Sequence, residues 1–217
     1  MENGDTVDMS AGEAPRLRPI IPFVYTKKRA ALTMSVAITL ELLGIPYGIA
    51  FDKHGTTMLS EPIREGDGKW GEETVFGAQI VEYLFQTYDT EKEFSYEKGS
   101  SKAAMVADRA KFVFESVGEN DMTITMLCKL EYYLHNSVGF HVVGNKVTLA
   151  DIGWFPYIYL NCIPAIDSGM FPNVRQWYFQ MAAISDLRKG VLGAGWDFES
   201  KKFRDLLARG LLYQGRL

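Results

Sequence analysis

This sequence is poor in the residues on which most metal and redox chemistry depends. Histidine occurs three times, at positions 54, 135 and 141, and cysteine twice, at 128 and 162, in 217 residues. No spacing of His, Cys or acidic residues resembles a metal site, so none is expected. Both cysteines lie in apolar helical contexts and read as buried core residues of a protein kept in a reducing, cytoplasmic compartment. No apolar run is long enough to cross a bilayer. Residues 1–15 are polar and acidic and lack the apolar segment of a secretory signal. Residues 1–17 are therefore expected to form a disordered tail, and no membrane partner is expected. Positive charge is also short. A net charge of −4 and a pI near 5.5 disfavour nucleic acid as a partner. The length suits one large domain or two small ones.

What is present has a clear order. Ile20 to Tyr25 reads as a strand, although Pro22 removes one donor. Leu32, Val36, Leu40 and Leu43 then form a helical stripe. Gly44 ends that helix, Ile45 can fold back on Leu40, and Pro46 forbids continuation. Tyr47 to Phe51 reads as a second strand, so the first three elements are a βαβ unit with parallel strands. Residues 52–61 show no helical period. Pro62-Ile63-Arg64 and Lys69 to Phe76 flank Glu65-Gly66-Asp67-Gly68, a turn between antiparallel strands. Phe76, Ile80, Tyr83, Leu84 and Tyr88 form the next helical stripe. After a charged stretch, candidate helices fall near 100–117, 120–137, 148–163, 172–183, 185–192 and 200–213.

The helix from 148 carries its own start signal. Thr148 is a good N-cap residue, and Asp151 stands three positions on, where its carboxylate can reach back. Val147 and Ile152 are placed for a hydrophobic staple. Leu149, Ile152, Phe155, Tyr159 and Ile163 follow helical spacing, and Gly153, Trp154 and Ile158 make the other side apolar too, so the helix is expected to be buried. Pro156 lies inside it and is expected to kink it.

The segment Phe140-His141-Val142-Val143-Gly144-Asn145-Lys146, then Val147-Thr148-Leu149-Ala150-Asp151-Ile152, then Phe171-Pro172-Asn173-Val174 through Met181, resembles the C-terminal domain of the glutathione transferase superfamily. The resemblance implies α/β followed by all-α architecture: a thioredoxin-like N-terminal domain over 18–88, a linker over 89–99 and a helical domain over 100–217. It also implies a homodimer.

In that family three devices hold glutathione: a hydroxyl or thiol near the first strand–helix junction, a cis-proline before the third strand, and an acid–Ser pair at the start of the third helix. For the first, the resemblance points to Tyr25 and Thr26 as candidate catalytic hydroxyls, with Ser35 behind and Lys27, Lys28 and Arg29 to hold an anion; the bland alternative is that these cations form a solvated face. For the second, Glu61-Pro62-Ile63 is the matching segment, which implies that Pro62 is cis and that Pro62 and Ile63 bind the cysteinyl part. The interval from Tyr47 to Pro62 is short for the family, which implies that its second helix is lost or reduced. For the third, Val75-Phe76-Gly77-Ala78-Gln79-Ile80 lacks both the acid and the hydroxyl, leaving Phe76, Gly77 and a helix N-terminus. Glutathione is thus expected to bind weakly, in the millimolar range, or not at all. An apolar substrate cavity is expected from Tyr25, Phe112, Glu115, Ser116 and Trp196. Three functions stay open: a thiol-using enzyme that conjugates or isomerises a small apolar molecule, a ligand-binding protein or glutathione-independent catalyst of a rearrangement, and a structural assembly module.

Overall fold

The computed structural model describes residues 21–52, 55–64, 70–116, 123–197 and 200–214. The expected tail, 1–17, lies outside the described residues, as does the turn at 65–68. Strand β1 (Phe23–Thr26) is followed by helix α1 (Ala31–Leu42), β2 (Gly48–Phe51), β3 (Met58–Arg64), β4 (Trp70–Phe76) and α2 (Gln79–Tyr88). The sheet order is β2-β1-β3-β4, with β2 parallel to β1 and both later pairings antiparallel. This is the thioredoxin-like half. Leu40 and Gly44 close α1 as their types require. Gly44 takes φ +65°, and Ile45 N–H donates to the Leu40 carbonyl at 2.9 Å.

Two boundaries differ from the sequence reading. Strand β3 begins at Met58, four residues before Pro62, because Leu59 faces the core and anchors the strand beside Val24 of β1. Phe76 ends β4 and does not open α2; Gly77, at φ +63°, makes the turn between them.

Alternation along the strands sets two faces. Val24, Thr26 and Leu59 are buried, whereas Tyr25 is 41% and Phe76 53% exposed. Register places Phe23, Tyr25, Met58 and Phe76 on the outer face. Among the described residues of the β2–β3 connection, 52 and 55–57, there is no helix. On that face Tyr25 and Phe76 are left exposed among the described residues.

The rest of the chain is helical among the described residues: α3 (Ser101–Ser116), α4 (Thr123–His135), α5 (Leu149–Asn161), α6 (Ile163–Asp167), α7 (Pro172–Ala183), α8 (Ser185–Gly193) and α9 (Lys201–Gln214). Helix α5 runs through Pro156 and is buried from Ala150 to Tyr159. Its capping box is formed. Asp151 Oδ2 accepts from the Thr148 N–H and hydroxyl, both at 2.9 Å, and Oδ1 accepts from Val142 N–H and Trp177 Nε1–H, both at 2.9 Å. One carboxylate thus ties α5, α7 and the loop before α5 together, and four hydrogen bonds offset its burial. The two halves meet along α1, which packs on α5 and α8. They come close at Gly190 of α8, where an added Cβ would lie 2.4 Å from Ile38 Cα. Only glycine admits that contact.

Candidate functional site

The edge of the sheet where β1 hands over to α1 gathers the polar groups from which a site can be built. Three threonines meet there: Thr26 at the end of β1, Thr33 in the first turn of α1, and Thr57 just before β3. Thr33 Oγ1 donates to the Lys27 carbonyl at 2.6 Å. A hydroxyl has one proton, so toward Thr26, at 2.6 Å, Thr33 can only accept. Thr26 therefore gives its own proton to Thr33 and accepts from Thr57 at 2.8 Å. The relay runs Thr57 to Thr26 to Thr33 to the Lys27 carbonyl. Thr26 is fully buried and has no proton left for a ligand. Thr33 and Thr57 lie 7 and 31 positions from Thr26, so no local sequence pattern links them to it.

Tyr25, the neighbour of Thr26 in β1, lies on the opposite face. It stands on the outer face with its ring 5.0 Å from Phe23. Pro62 sits inside β3 opposite Glu72, and no peptide bond among the described residues is cis. The expectation of a cis-proline before the third strand fails at Pro62 because the strand has already started; Thr57 occupies the position before it. Ile63 lies further along the same strand. Phe76 is exposed on the outer face, and Gly77 N–H donates to the Thr57 carbonyl at 2.9 Å.

The cations divide. Arg29 takes a left-handed backbone (φ +60°), its N–H donates to the Ala194 carbonyl at 2.9 Å, and its guanidinium donates to the Gly195 carbonyl at 3.2 Å and Asp197 Oδ2 at 3.3 Å. It also lies over the Trp196 ring at 4.9 Å. Arg29 is thus a clamp between the halves, with its charge already paired. Lys28 runs its aliphatic stem past Gly195 and holds its ammonium 5.9 Å above Phe51. Lys27 and Lys28 are exposed beside the start of α1, where Ala30 provides no side-chain cap and the first turn holds no acid.

Across this edge stands Trp196, edge-on to Tyr159 at 5.4 Å. Trp196 Nε1–H and the Tyr159 hydroxyl are both buried with no hydrogen-bond partner among the described residues. Burial raises the Tyr159 pKa, although Arg29 opposes this, so the hydroxyl keeps its proton. The sequence reading took Tyr159 for core alone, since its helix is apolar nearly all round.

The remaining candidates are elsewhere. Phe112 stacks on Trp154 at 5.9 Å inside the helical half, and Glu115 pairs with Lys111 on its surface at 3.7 Å. Ser116 ends α3. Cys162 is buried with its thiol pushed up to about 12 by desolvation, whereas Cys128 is exposed, against expectation. It falls on the solvent side of α4. Among the described residues no group of His, Cys, Asp and Glu could hold a metal, and no helix is long and apolar enough to cross a membrane.

A four-stranded mixed sheet with α1 and α2, its first helix packed on an all-helical half, defines a thioredoxin-like domain joined to a helical domain. The fold is that of the glutathione transferase superfamily. A glutathione transferase homologue from Lodderomyces elongisporus, solved with two glutathione molecules per subunit, matches at a TM-score of 0.70 and 20% identity over 81% of this chain and 99% of its own. URE2P6 from Phanerochaete chrysosporium, solved in apo form, matches at 0.66 and 22% identity over 82% and 100%. Glutathione transferase E6 from Drosophila melanogaster matches at 0.65 and 18% over 89% and 96%. No protein-family model matches the sequence, and no curated protein matches it significantly.

Proposed function

We propose that this chain is a glutathione transferase-type protein that acts on a small, largely apolar molecule at the edge between α1 and Trp196, by conjugation or isomerisation. The observation that carries this reading is the uncapped start of α1, flanked by Lys27 and Lys28, in the fold that the glutathione-bound neighbours share. Backbone N–H groups and two cations there favour an anion, and a thiol in such a place is held more readily as thiolate. The unpaired Tyr159 and Trp196 donors suit a substrate that presents an oxygen acceptor. A homodimer in the cytoplasm is part of this proposal, by likeness to the family and from its cysteine usage.

A second reading is favoured by the closed threonine relay. With no hydroxyl free at the thiol position and no acid–Ser pair before α2, glutathione binds in the millimolar range or not at all. The chain is then a ligand-binding protein or catalyses a rearrangement without glutathione. Isothermal titration with glutathione, run beside an activity assay with an activated aryl halide, separates the two. Weak binding with glutathione-dependent turnover supports the first reading. Absent binding and absent turnover supports the second. A micromolar dissociation constant overturns the expectation of weak binding.

A further inference from the structure

The outer face of the sheet changes character along its strands. Register sets Phe23 level with Ser60 and Thr74 at the end where the chain enters β1, and Tyr25 level with Met58 and Phe76 at the end where it leaves. At the entry end Ser60 Oγ donates to Glu72, which is exposed and has no cation against it among the described residues. At the exit end Tyr25 and Phe76 leave an exposed aromatic patch. Just past that patch, Lys27 and Lys28 stand exposed beside the uncapped start of α1, with no ion-pair partner among the described residues. Along the direction of β1 the face is therefore acidic, then aromatic, then basic.

The residues that precede Ile21 carry the complementary order. Counted back from Ile21, Arg18 and Arg16 come first. Residues 1–15 then contain Glu2, Asp5, Asp8 and Glu13 and no Lys or Arg. Within them Val7, Met9 and Ala11 alternate with Asp8 and Ser10, the two-residue period that sets one row of side chains against a sheet. Laid back along β1 from its entry end, this stretch is basic, then apolar, then acidic. Reach is ample: residues 1–20 span about 60 Å when extended, whereas β1 and the turn into α1 cover about 20 Å at the rise of a strand. A segment tethered so close is presented to the face at millimolar effective concentration. An affinity too weak to hold a free peptide suffices to hold this one.

We infer that residues 1–20 dock back along the outer face of the sheet, with Arg16 and Arg18 at Glu72, Val7 and Met9 on Tyr25 and Phe76, and Asp5 and Asp8 at Lys27 and Lys28, and that the docked segment competes with an anionic ligand at the start of α1. The competition rests on the function proposed above; the docking does not. Glutathione then binds only the fraction of molecules whose α1 start is uncovered, and its apparent affinity falls by that fraction.

Methyl NMR of the full chain, labelled at the methionine methyl carbons, tests the docking. The Met9 signal is assigned by its loss in Met9→Leu. It is expected to lie away from the random-coil position, displaced by the Tyr25 and Phe76 rings. It is expected to return there in Phe76→Ser, and in a full-chain variant that combines Glu2→Gln, Asp5→Asn, Asp8→Asn and Glu13→Gln. Phe76 is exposed, so the melting curve of Phe76→Ser is expected to stay where it is. Calorimetric titration with glutathione tests the competition. Its affinity is expected to rise about three- to tenfold in the four-fold tail variant, as it would if the tail covers the site about two-thirds to nine-tenths of the time. Glutathione is also expected to move the Met9 signal of the unaltered chain to the random-coil position. A Met9 signal already at that position in the unaltered chain would overturn the docking. So would a displacement that appears only as protein concentration is raised, since a second copy then covers the face. Equal glutathione affinity in the unaltered chain and the tail variant would overturn the competition. If neither protein binds glutathione while Met9 is displaced, the docking stands and the glutathione reading of the α1 edge falls.

Discussion

Helices α5 and α1 begin in opposite ways. The N-terminus of α5 is closed: Thr148 and Asp151 take up its donors, and Asp151 spends its remaining lone pairs on Val142 and Trp177. The N-terminus of α7 is closed too, by Glu131 of α4, which accepts from Asn173 N–H at 3.1 Å and Val174 N–H at 2.9 Å. Helix α1 begins with Ala30 and has no side-chain cap, no acid, and two lysines alongside. Capping residues typically contribute about 1 kcal/mol to a helix. An end that goes without one keeps its backbone donors for something else. The difference separates a helix end secured by its neighbours' side chains from one whose backbone donors no side chain caps.

Asp151→Ala breaks the closed end and has the largest expected effect. It strands four buried donors, and removing one member of a buried hydrogen-bonded network costs about 3–5 kcal/mol. The melting temperature, read by circular dichroism, is expected to fall by about 10 °C or more. A fall of only a degree or two would mean that the box is not what closes α5.

Thr33→Val comes next. It leaves the Lys27 carbonyl without its donor and the Thr26 proton without its acceptor, while Thr57 still donates to Thr26, at a cost of about 1–3 kcal/mol. It also releases the Thr26 proton toward the α1 edge. Glutathione affinity is expected to rise while stability falls, two readouts that a purely structural role would not send in opposite directions.

Lys27→Ala with Lys28→Ala tests the open end directly. Affinity for glutathione or another small carboxylate is expected to drop by about tenfold, with an unchanged melting temperature, since exposed charges contribute little to folding. A lower melting temperature with unchanged affinity would assign these lysines to the fold.

The cysteines give the smallest effect. Cys128 is expected to react with a thiol reagent at neutral pH and Cys162 to stay protected. The Cys162 thiol is raised from 9.0 to about 12 on folding. The unfolded chain therefore ionises first, so the stabilisation is full below about pH 9 and is lost as pH climbs toward 12. Chemical denaturation at pH 8 and pH 10.5 measures the decline.

The order of elements was legible in the sequence because each carried a local signature: the Gly44-Ile45-Pro46 stop, the Thr148–Asp151 start, the stripes at Leu32 and Ile80. Strand β3 was read late because Met58-Leu59-Ser60-Glu61 alternates weakly and Pro62 drew attention to itself. The site was less legible. Register, which no local pattern records, decides that Tyr25 faces outward and Thr26 inward. The pairing of Arg29 with Asp197 spans 168 positions, and the threonine relay closes through residues of β1, α1 and the chain just before β3. Charge and hydroxyl content can be read one residue at a time, but which proton is already committed cannot.

Gly190 carries a last consequence. With its bare Cα against Ile38, α8 of the helical half and α1 of the α/β half lie backbone to backbone, and α5 closes over the same helix with Ser35 Oγ donating to the Ile152 carbonyl at 3.1 Å. A joint built this way has no give. Neither half can melt without exposing the other's interior, so denaturant should carry the whole molecule over in one cooperative step, with a slope set by the surface of both halves together. Gly190→Ala would prise them apart, and the unfolding curve would then divide into two.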